Sequence, residues 1–416
     1  MRVNWHSGTT AQTLWGRNRP SVTLLVNALG MARGGDCTVH TNYWSRLVAR
    51  RPDWGLILLR SPHGPELDLP DLGSNCCYLY GPPSTNNVYR RILWQRRWLP
   101  KLVRAIQCSA YIALNGVTQS KIHVPQIVLF QDPTPFFRRI YHRAGLRGRI
   151  RASLLRWLWR RSVRQAAATG YTSNYMRSLI LHNAKRTAEK RHFIAYNGID
   201  DSMRRWAATM SPRPLEQRQP VILSVSGNHL HKNFETLIRA IGLLRARERF
   251  REYRLRIMGW TLVPSYLQRL RELVEQLGLS EGVALDFDQS QAEIAKAYQE
   301  SALFSLTSMC ESFGIPSVEA MAYGLPCVLG ATTAVPEIAD DAAVLVPPTD
   351  PQLVADAWER VLSDTSLYRN LQEAGQRRCL DFSWDQTVSN WIDAIENAIG
   401  LQGTMSASRA RATEQV

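Results

Sequence analysis

Apolar residues fall in short, predominantly apolar blocks at 22–28 (VTLLVNA), 54–59, 76–80, 110–114, 126–130 and 167–172, with helix-compatible segments between several of them. Blocks without polar alternation predict strands buried on both faces, and their alternation with helical segments predicts a parallel sheet covered by helices. A second series begins at 221 with VILSVSG, and a helix follows with Phe234, Leu237, Ile238 and Ile241 on one face. Strands at 255–258 and 283–287, a short helix at 291–301 and the apolar run SALFSLTS continue it. Helices at 351–362 and 367–380 and an amphipathic helix at 383–399 complete the pattern.

Punctuation divides the chain. Pro212, Pro214 and Pro220 mark 203–220 as a linker. The predicted organisation is an extension (1–20), a first Rossmann-like domain (21–202), the linker, a second Rossmann-like domain (221–382), a closing helix (383–400) and a polar, disordered tail (401–416). A length of 416 residues suffices for two cores.

With 45% apolar and 21% charged residues, the composition is that of a globular protein. No run approaches the ~20 apolar residues that span a bilayer, and the amino terminus lacks the apolar stretch of a signal peptide, which predicts a cytoplasmic protein. Seven cysteines without metal or disulfide spacing read as reduced and mostly buried, and none reads as a nucleophile or metal ligand. Charge changes the picture more. Between Leu72 and Ala188 stand 20 Lys and Arg against one acid, Asp132, a net of +19 in a chain whose total is +16. Such a basic half predicts an anionic surface as partner.

The stretch richest in chemistry is 311–330, ESFGIPSVEAMAYGLPCVLG. Pro316 suits the first turn of a helix and Gly314 a bend ahead of it, so the helix starts at about Ile315 with free amides suited to phosphate. Glu311 then lies in the loop before that anion site and Glu319 one turn inside the helix. Two acids flanking an anion site match a ligand that holds phosphate between two polyhydroxylated rings. Taken alone, each acid could equally be an ordinary solvated residue.

Glu, seven residues, Glu, with SFG after the first acid and EAMAYGLPCV around the second, resembles the retaining glycosyltransferases of family 4, the group 1 glycosyltransferases. The resemblance implies a GT-B fold: α/β, two Rossmann-like domains facing across a cleft, with the last helix crossing back to the first domain. It implies that Glu311 contacts the donor hexose, that Glu319 holds the ribose, and that Ser312, Phe313, Gly314, Ile315 and Pro316 bound the diphosphate. Gly34 and Gly35, in a loop after the first strand, and Gly227 in the turn after the second domain's first strand, would admit the donor. Where the family usually places Arg and Lys to neutralise the leaving diphosphate, this chain has Asn228 and Lys232, and His229 or His231 is a candidate substitute. Where the family often has His followed by an acid, this chain has Gln131 and Asp132, acceptor-side candidates; Asp132 could instead serve an Asp-Pro turn. The string NGID at 197–200 resembles the end of the family's first domain. Neither metal nor cofactor is implied, and a monomer is the default.

Two segments concentrate the positive charge, 89–104 with Arg96, Arg97 and Trp98, and 146–164 with Arg156, Trp157, Arg160, Arg161 and Arg164. If the second is helical, Ile150, Leu154 and Leu158 form a stripe that either faces the core or, with the arginines, faces a membrane. No nucleic-acid module is recognisable, and a lipid-linked acceptor favours the membrane, on the inner face of the plasma membrane. The expected function is metal-independent, retaining transfer of a hexose, mannose-like, from a nucleotide diphosphate sugar to a lipid-linked or saccharide acceptor in surface polysaccharide, lipopolysaccharide or glycolipid assembly, with GDP-mannose the donor in view. The competing readings are a catalytically inactive membrane- or partner-binding protein and a nucleotide-sugar epimerase.

Overall fold

The computed structural model describes residues 2–4, 9–16, 19–31, 35–64, 75–138, 140, 145–185 and 191–400. Gly34 and the expected disordered tail lie outside them. The chain forms two units, one of Met1–Asp132, Arg149–Tyr196 and Trp384–Val416, the other of Pro133–Gly148 and Asn197–Ser383.

The first unit holds β1 (Arg2–Asn4), β2 (Val22–Ala28), β3 (Trp54–Arg60), β4 (Cys76–Tyr80), β5 (Ala110–Ala113), β6 (Gln126–Phe130), β7 (Ala168–Tyr171) and β8 (Arg191–Ile194). They form one sheet in the order β1-β4-β3-β2-β5-β6-β7-β8, every pair parallel. All seven residues of β2 and of β3 are buried, which is why their sequences lack alternation. The last helix, Trp384–Ile399, belongs to this unit and places Trp384, Val388, Trp391 and Ile395 in a core with Tyr43, Trp44 and Leu47. The chain thus crosses back to its first unit, as the resemblance implied.

The second unit holds β9 (Gln219–Val225), β10 (Arg254–Gly259), β11 (Val283–Phe287), β12 (Ser301–Leu306), β13 (Cys327–Gly330) and β14 (Ala343–Val346), a parallel sheet in the order β11-β10-β9-β12-β13-β14. Its core is built from Phe234, Leu237, Ile238, Ile241 and Leu244 of one helix against Ile222, Leu255, Ile257 and Trp358. Strand order reverses at β2/β5 in the first sheet and at β9/β12 in the second. Such switch points open a crevice at the carboxyl ends of the strands, where ligands of doubly wound sheets bind.

Three expectations need correction. The stretch 1–20 is not merely an extension: Arg2–Asn4 pair in parallel with β4, and Thr10 caps a helix, Ala11–Trp15, that buries Leu14 and Trp15. Within 203–220, most of the first half is helical. Asp200 accepts from the Ser202 amide and starts the helix Asp201–Thr209, the prolines confine the irregular part to 210–218, and β9 already begins at Gln219. The stripe Ile150, Leu154 and Leu158 is not the core face of its helix, Gly145–Gln165, whose buried residues are Ala152, Trp159, Ser162 and Val163. Trp159 donates to the Asn115 carbonyl at 3.1 Å and meets Phe130 edge to face, which fixes the helix's rotation.

Candidate active site

In the second unit the site is built where β9 and β12 separate. After β9 the chain makes a turn, Leu230–Lys232, and enters the helix Phe234–Arg245 through Asn233, which is in the left-handed region at φ 55°. The buried Asn233 amide donates to Thr236 Oγ1, Thr307 O and Pro348 O, and Thr307 Oγ1 donates back to the Asn233 carbonyl. The turn that carries Lys232 is thereby tied to the end of β12, which leads to Glu311.

Lys232 Nζ and Glu311 Oε1 stand 2.7 Å apart, with side chains only 13% and 9% exposed. Two residues 79 positions apart that the sequence singled out separately are thus one ion pair. Glu311 is held further by its backbone amide, which donates to Thr333 Oγ1 at 2.7 Å. Thr333 has φ 53°, a conformation a β-branched residue seldom adopts, so the loop that positions Glu311 is strained.

Beyond Glu311 the chain bends at Gly314, φ 91°, and starts the helix Ile315–Ala322 with Pro316 in its first turn and no side-chain cap. A Cβ on Gly314 would meet only Ser317 Oγ at 3.7 Å, so glycine is required for the dihedral and not for space. Ser317 Oγ is buried and without a hydrogen-bond partner among the described residues. Uncapped amides and an orphaned hydroxyl together fit an anion. Glu319, one turn in, accepts from Tyr298 Oη at 3.0 Å. Tyr298 stacks on Tyr323, which meets Trp206, so an aromatic wall runs beside this acid. Burial raises the Glu319 carboxyl above the ordinary range, the charge of Asp200 adds to this, and only the Tyr298 hydroxyl opposes it.

Other nominated residues are placed differently. Asn228 is fully buried; its Oδ1 accepts from the Leu262 and Val263 amides at 2.6 and 2.8 Å and its Nδ2 donates to Val263 O at 2.8 Å. Its side chain staples a neighbouring loop and is not presented to a donor. Gly227 serves the same loop, since a Cβ there would lie 2.5 Å from Leu262 Cδ1. The Phe313 ring is buried edge to face on Phe382, so only its backbone can face a ligand. His229 and His231 stack at 5.4 Å, and His231 is held well below its ordinary value by burial, then by Lys232 and His229. Without an anion beside it, His231 is thus disfavoured as a cation.

In the first unit Gly35 opens the helix Gly35–Arg50, and Gln131, just past β6, donates to Asp36 Oδ1 at 3.2 Å. Gln131 thus meets a carboxylate of the first helix turn, and Asp132 is exposed. Arg96 and Arg97 are exposed and Trp98 lies under Lys101 and Arg97. Arg156 is half-buried and bonded to Ser153, while Trp157, Arg160, Arg161 and Arg164 gather on one groove. Tyr298, Thr333 and Asp200 escaped sequence reasoning. Spacing says nothing of contacts made across strands, and only the NGID string pointed near one of them.

Residues 208–378 match the family model for glycosyl transferases group 1. The chain is 26% identical over 361 residues to an MMP alpha-(1->4)-mannosyltransferase of Mycolicibacterium hassiacum, 84% of each chain, and 32% identical over 143 residues to a D-inositol 3-phosphate glycosyltransferase of Salinispora arenicola, 34% of this chain and 32% of the other. The matches to the Salinispora protein and to the mannosyltransferase WbdA of Escherichia coli span a third or less of those relatives' length. Among solved structures, a glycosyltransferase of Rickettsia africae superposes with TM-score 0.67 at 15% identity, covering 91% of this chain and 98% of the other. The sucrose-phosphate synthase of Thermosynechococcus elongatus does so with TM-score 0.67 at 16% identity, covering 93% and 100%. Residues 208–378 are therefore similar to the group 1 glycosyltransferases, in a chain with the GT-B fold.

Proposed function

We propose that the protein transfers a hexose, mannose-like, from a nucleotide diphosphate sugar to a lipid-linked or saccharide acceptor, with retention at the anomeric carbon and without a metal ion. The observation that carries the reading is the Lys232–Glu311 pair beside the uncapped helix start at Gly314. A cation, free amides and a carboxylate converge there, as a diphosphate next to a sugar requires. In this reading the bond from the anomeric carbon to the diphosphate breaks on the face where the acceptor oxygen arrives, and the acceptor proton passes to the departing diphosphate. Lys232 and the amides of Gly314 and Ile315 offset the charge that develops, Glu311 orients the hexose, and Glu319 with Tyr298 holds the ribose. Mannosyltransferases among the relatives support the choice of sugar. A lipid-linked acceptor suits the basic half of the chain and a peripheral place on the inner face of the plasma membrane.

The test is thermal stabilisation by GDP-mannose, UDP-glucose and UDP-N-acetylglucosamine, followed by transfer assays with the donor that stabilises. Glu311→Ala is expected to abolish transfer while nucleotide binding largely survives. Because it and Glu311→Gln both leave the Lys232 charge uncompensated at a largely buried site, both lower Tm, and donor-induced stabilisation measured on each variant separates that loss from the catalytic one. Full activity in both variants sinks the proposal, and undetectable turnover of every donor by the native chain favours an inactive binding protein.

A further inference from the structure

Most large apolar side chains that the structure leaves exposed lie on two helices of the basic half. On Gly145–Gln165, Ile150, Leu154 and Trp157 are 61%, 49% and 56% exposed. At 100° per residue they fall with Arg160, Arg161 and Arg164 within one sector of about 120°. The stripe is apolar first and basic afterwards, over roughly 20 Å at 1.5 Å per residue. On Val88–Ala105, Tyr89, Ile92 and Leu93 are exposed and followed by exposed Arg96 and Arg97.

The arginines are pre-set for anions. Arg160 Nε donates to the Asn183 carbonyl at 2.8 Å, and Arg161 Nε donates to Gln165 Oε1 at 3.0 Å, so neither of these bonds goes to a carboxylate. With Trp157, Arg164 and Gln165 they line a groove of about 540 Å³. No acid occurs within 145–165.

We propose that the face formed by Ile150, Leu154, Trp157, Arg160, Arg161 and Arg164 docks on an anionic phospholipid bilayer, the guanidinium groups taking headgroup phosphate and the apolar half entering the acyl boundary. Ile92 and Leu93 offer further exposed apolar area on the second helix. The proposal deepens the lipid-linked acceptor reading and rests on it. A bilayer fits better than nucleic acid, since exposed Ile and Leu find acyl chains in the one and nothing to stack on in the other.

The full chain is sedimented with phosphatidylcholine vesicles with and without phosphatidylglycerol. Binding is expected only with phosphatidylglycerol. Arg160→Gln/Arg161→Gln/Arg164→Gln should weaken it on the order of 100-fold, from about 1 kcal/mol per basic residue, and Ile150→Ser/Leu154→Ser/Trp157→Ser should weaken it too. Both variants should keep the native Tm and the native stabilisation by the nucleotide sugar, which reads the donor site separately. Absence of donor-induced stabilisation in the native chain would count against the hexose-transfer reading, while vesicle binding would still report on this face. Equal binding to neutral vesicles, unchanged binding by both variants, displacement by excess glycerol phosphate, or capture by single-stranded RNA in preference to vesicles overturns the proposal.

Discussion

Glu319 shows how a side chain proposed to hold a ligand also carries a cost. Its carboxyl is raised by burial and by Asp200, so the folded state holds its proton more tightly than the unfolded chain does. The stability this gives is complete below the ordinary glutamate value of about 4.3 and is lost as pH rises through the raised folded value. Glu319→Gln keeps an acceptor for Tyr298 and removes the buried charge. In the absence of donor its Tm at pH 8 should equal or exceed the native one, with the gap closing as pH falls, while donor-induced stabilisation shrinks. A variant less stable at pH 8 and unaltered in donor binding would contradict this. Asn228 is the opposite case, a residue nominated for a ligand and found buried and bonded to a neighbouring loop of the protein. Asn228→Ala leaves the Leu262 and Val263 amides without their acceptor, and urea unfolding should show a loss of about 2–4 kcal/mol. At this scale the sequence singled out Glu311, Glu319 and Lys232 as candidates. It did not show that Lys232 and Glu311 are partners or that Asn228 is not available.

Among the elements, the last helix does most for the first unit. Trp391 is fully buried and meets Tyr43, Trp44 and Phe193, while Asn390 donates to the Ile194 carbonyl at 2.9 Å. Arg51 pairs with Glu396, and Arg50 with Asp385, on the same helix. Trp391→Ala should cost about 3–5 kcal/mol, measured by urea unfolding, and Trp391→Phe should recover part of it. No loss in either variant would mean that the helix is dispensable to this core. The apolar blocks that predicted strands recur in the structure within a residue or two, since continuous burial leaves a continuous apolar run. Elements held by backbone pairing or by a cap were less legible. β1 is three residues long and exists through β4, and the helix Asp201–Thr209 was hidden by the prolines after it.

For the whole molecule, charge is the property that sequence states most directly. A net +19 between Leu72 and Ala188 does not depend on folding. If that half meets an anionic bilayer through exposed arginines, vesicle binding must weaken as salt rises, because the screening length is already about 8 Å at physiological ionic strength. Donor-induced stabilisation at the shielded Lys232–Glu311 pair should change far less over the same range. Salt-independent vesicle binding would show that the apolar positions alone do the work. Among the described residues no helix is long and apolar enough to cross a membrane. The sequence by itself determined the α/β character, the strand positions, the acids around the Gly314 bend and the concentration of charge, because burial period, turn chemistry and net charge are local properties of a chain. The tertiary structure alone decided that Lys232 meets Glu311, that Asn228 staples a loop, and that Ile150 and Leu154 face solvent. Those outcomes depend on strand order and on which face of a helix its neighbours occupy, and both are set by contacts between residues far apart along the chain.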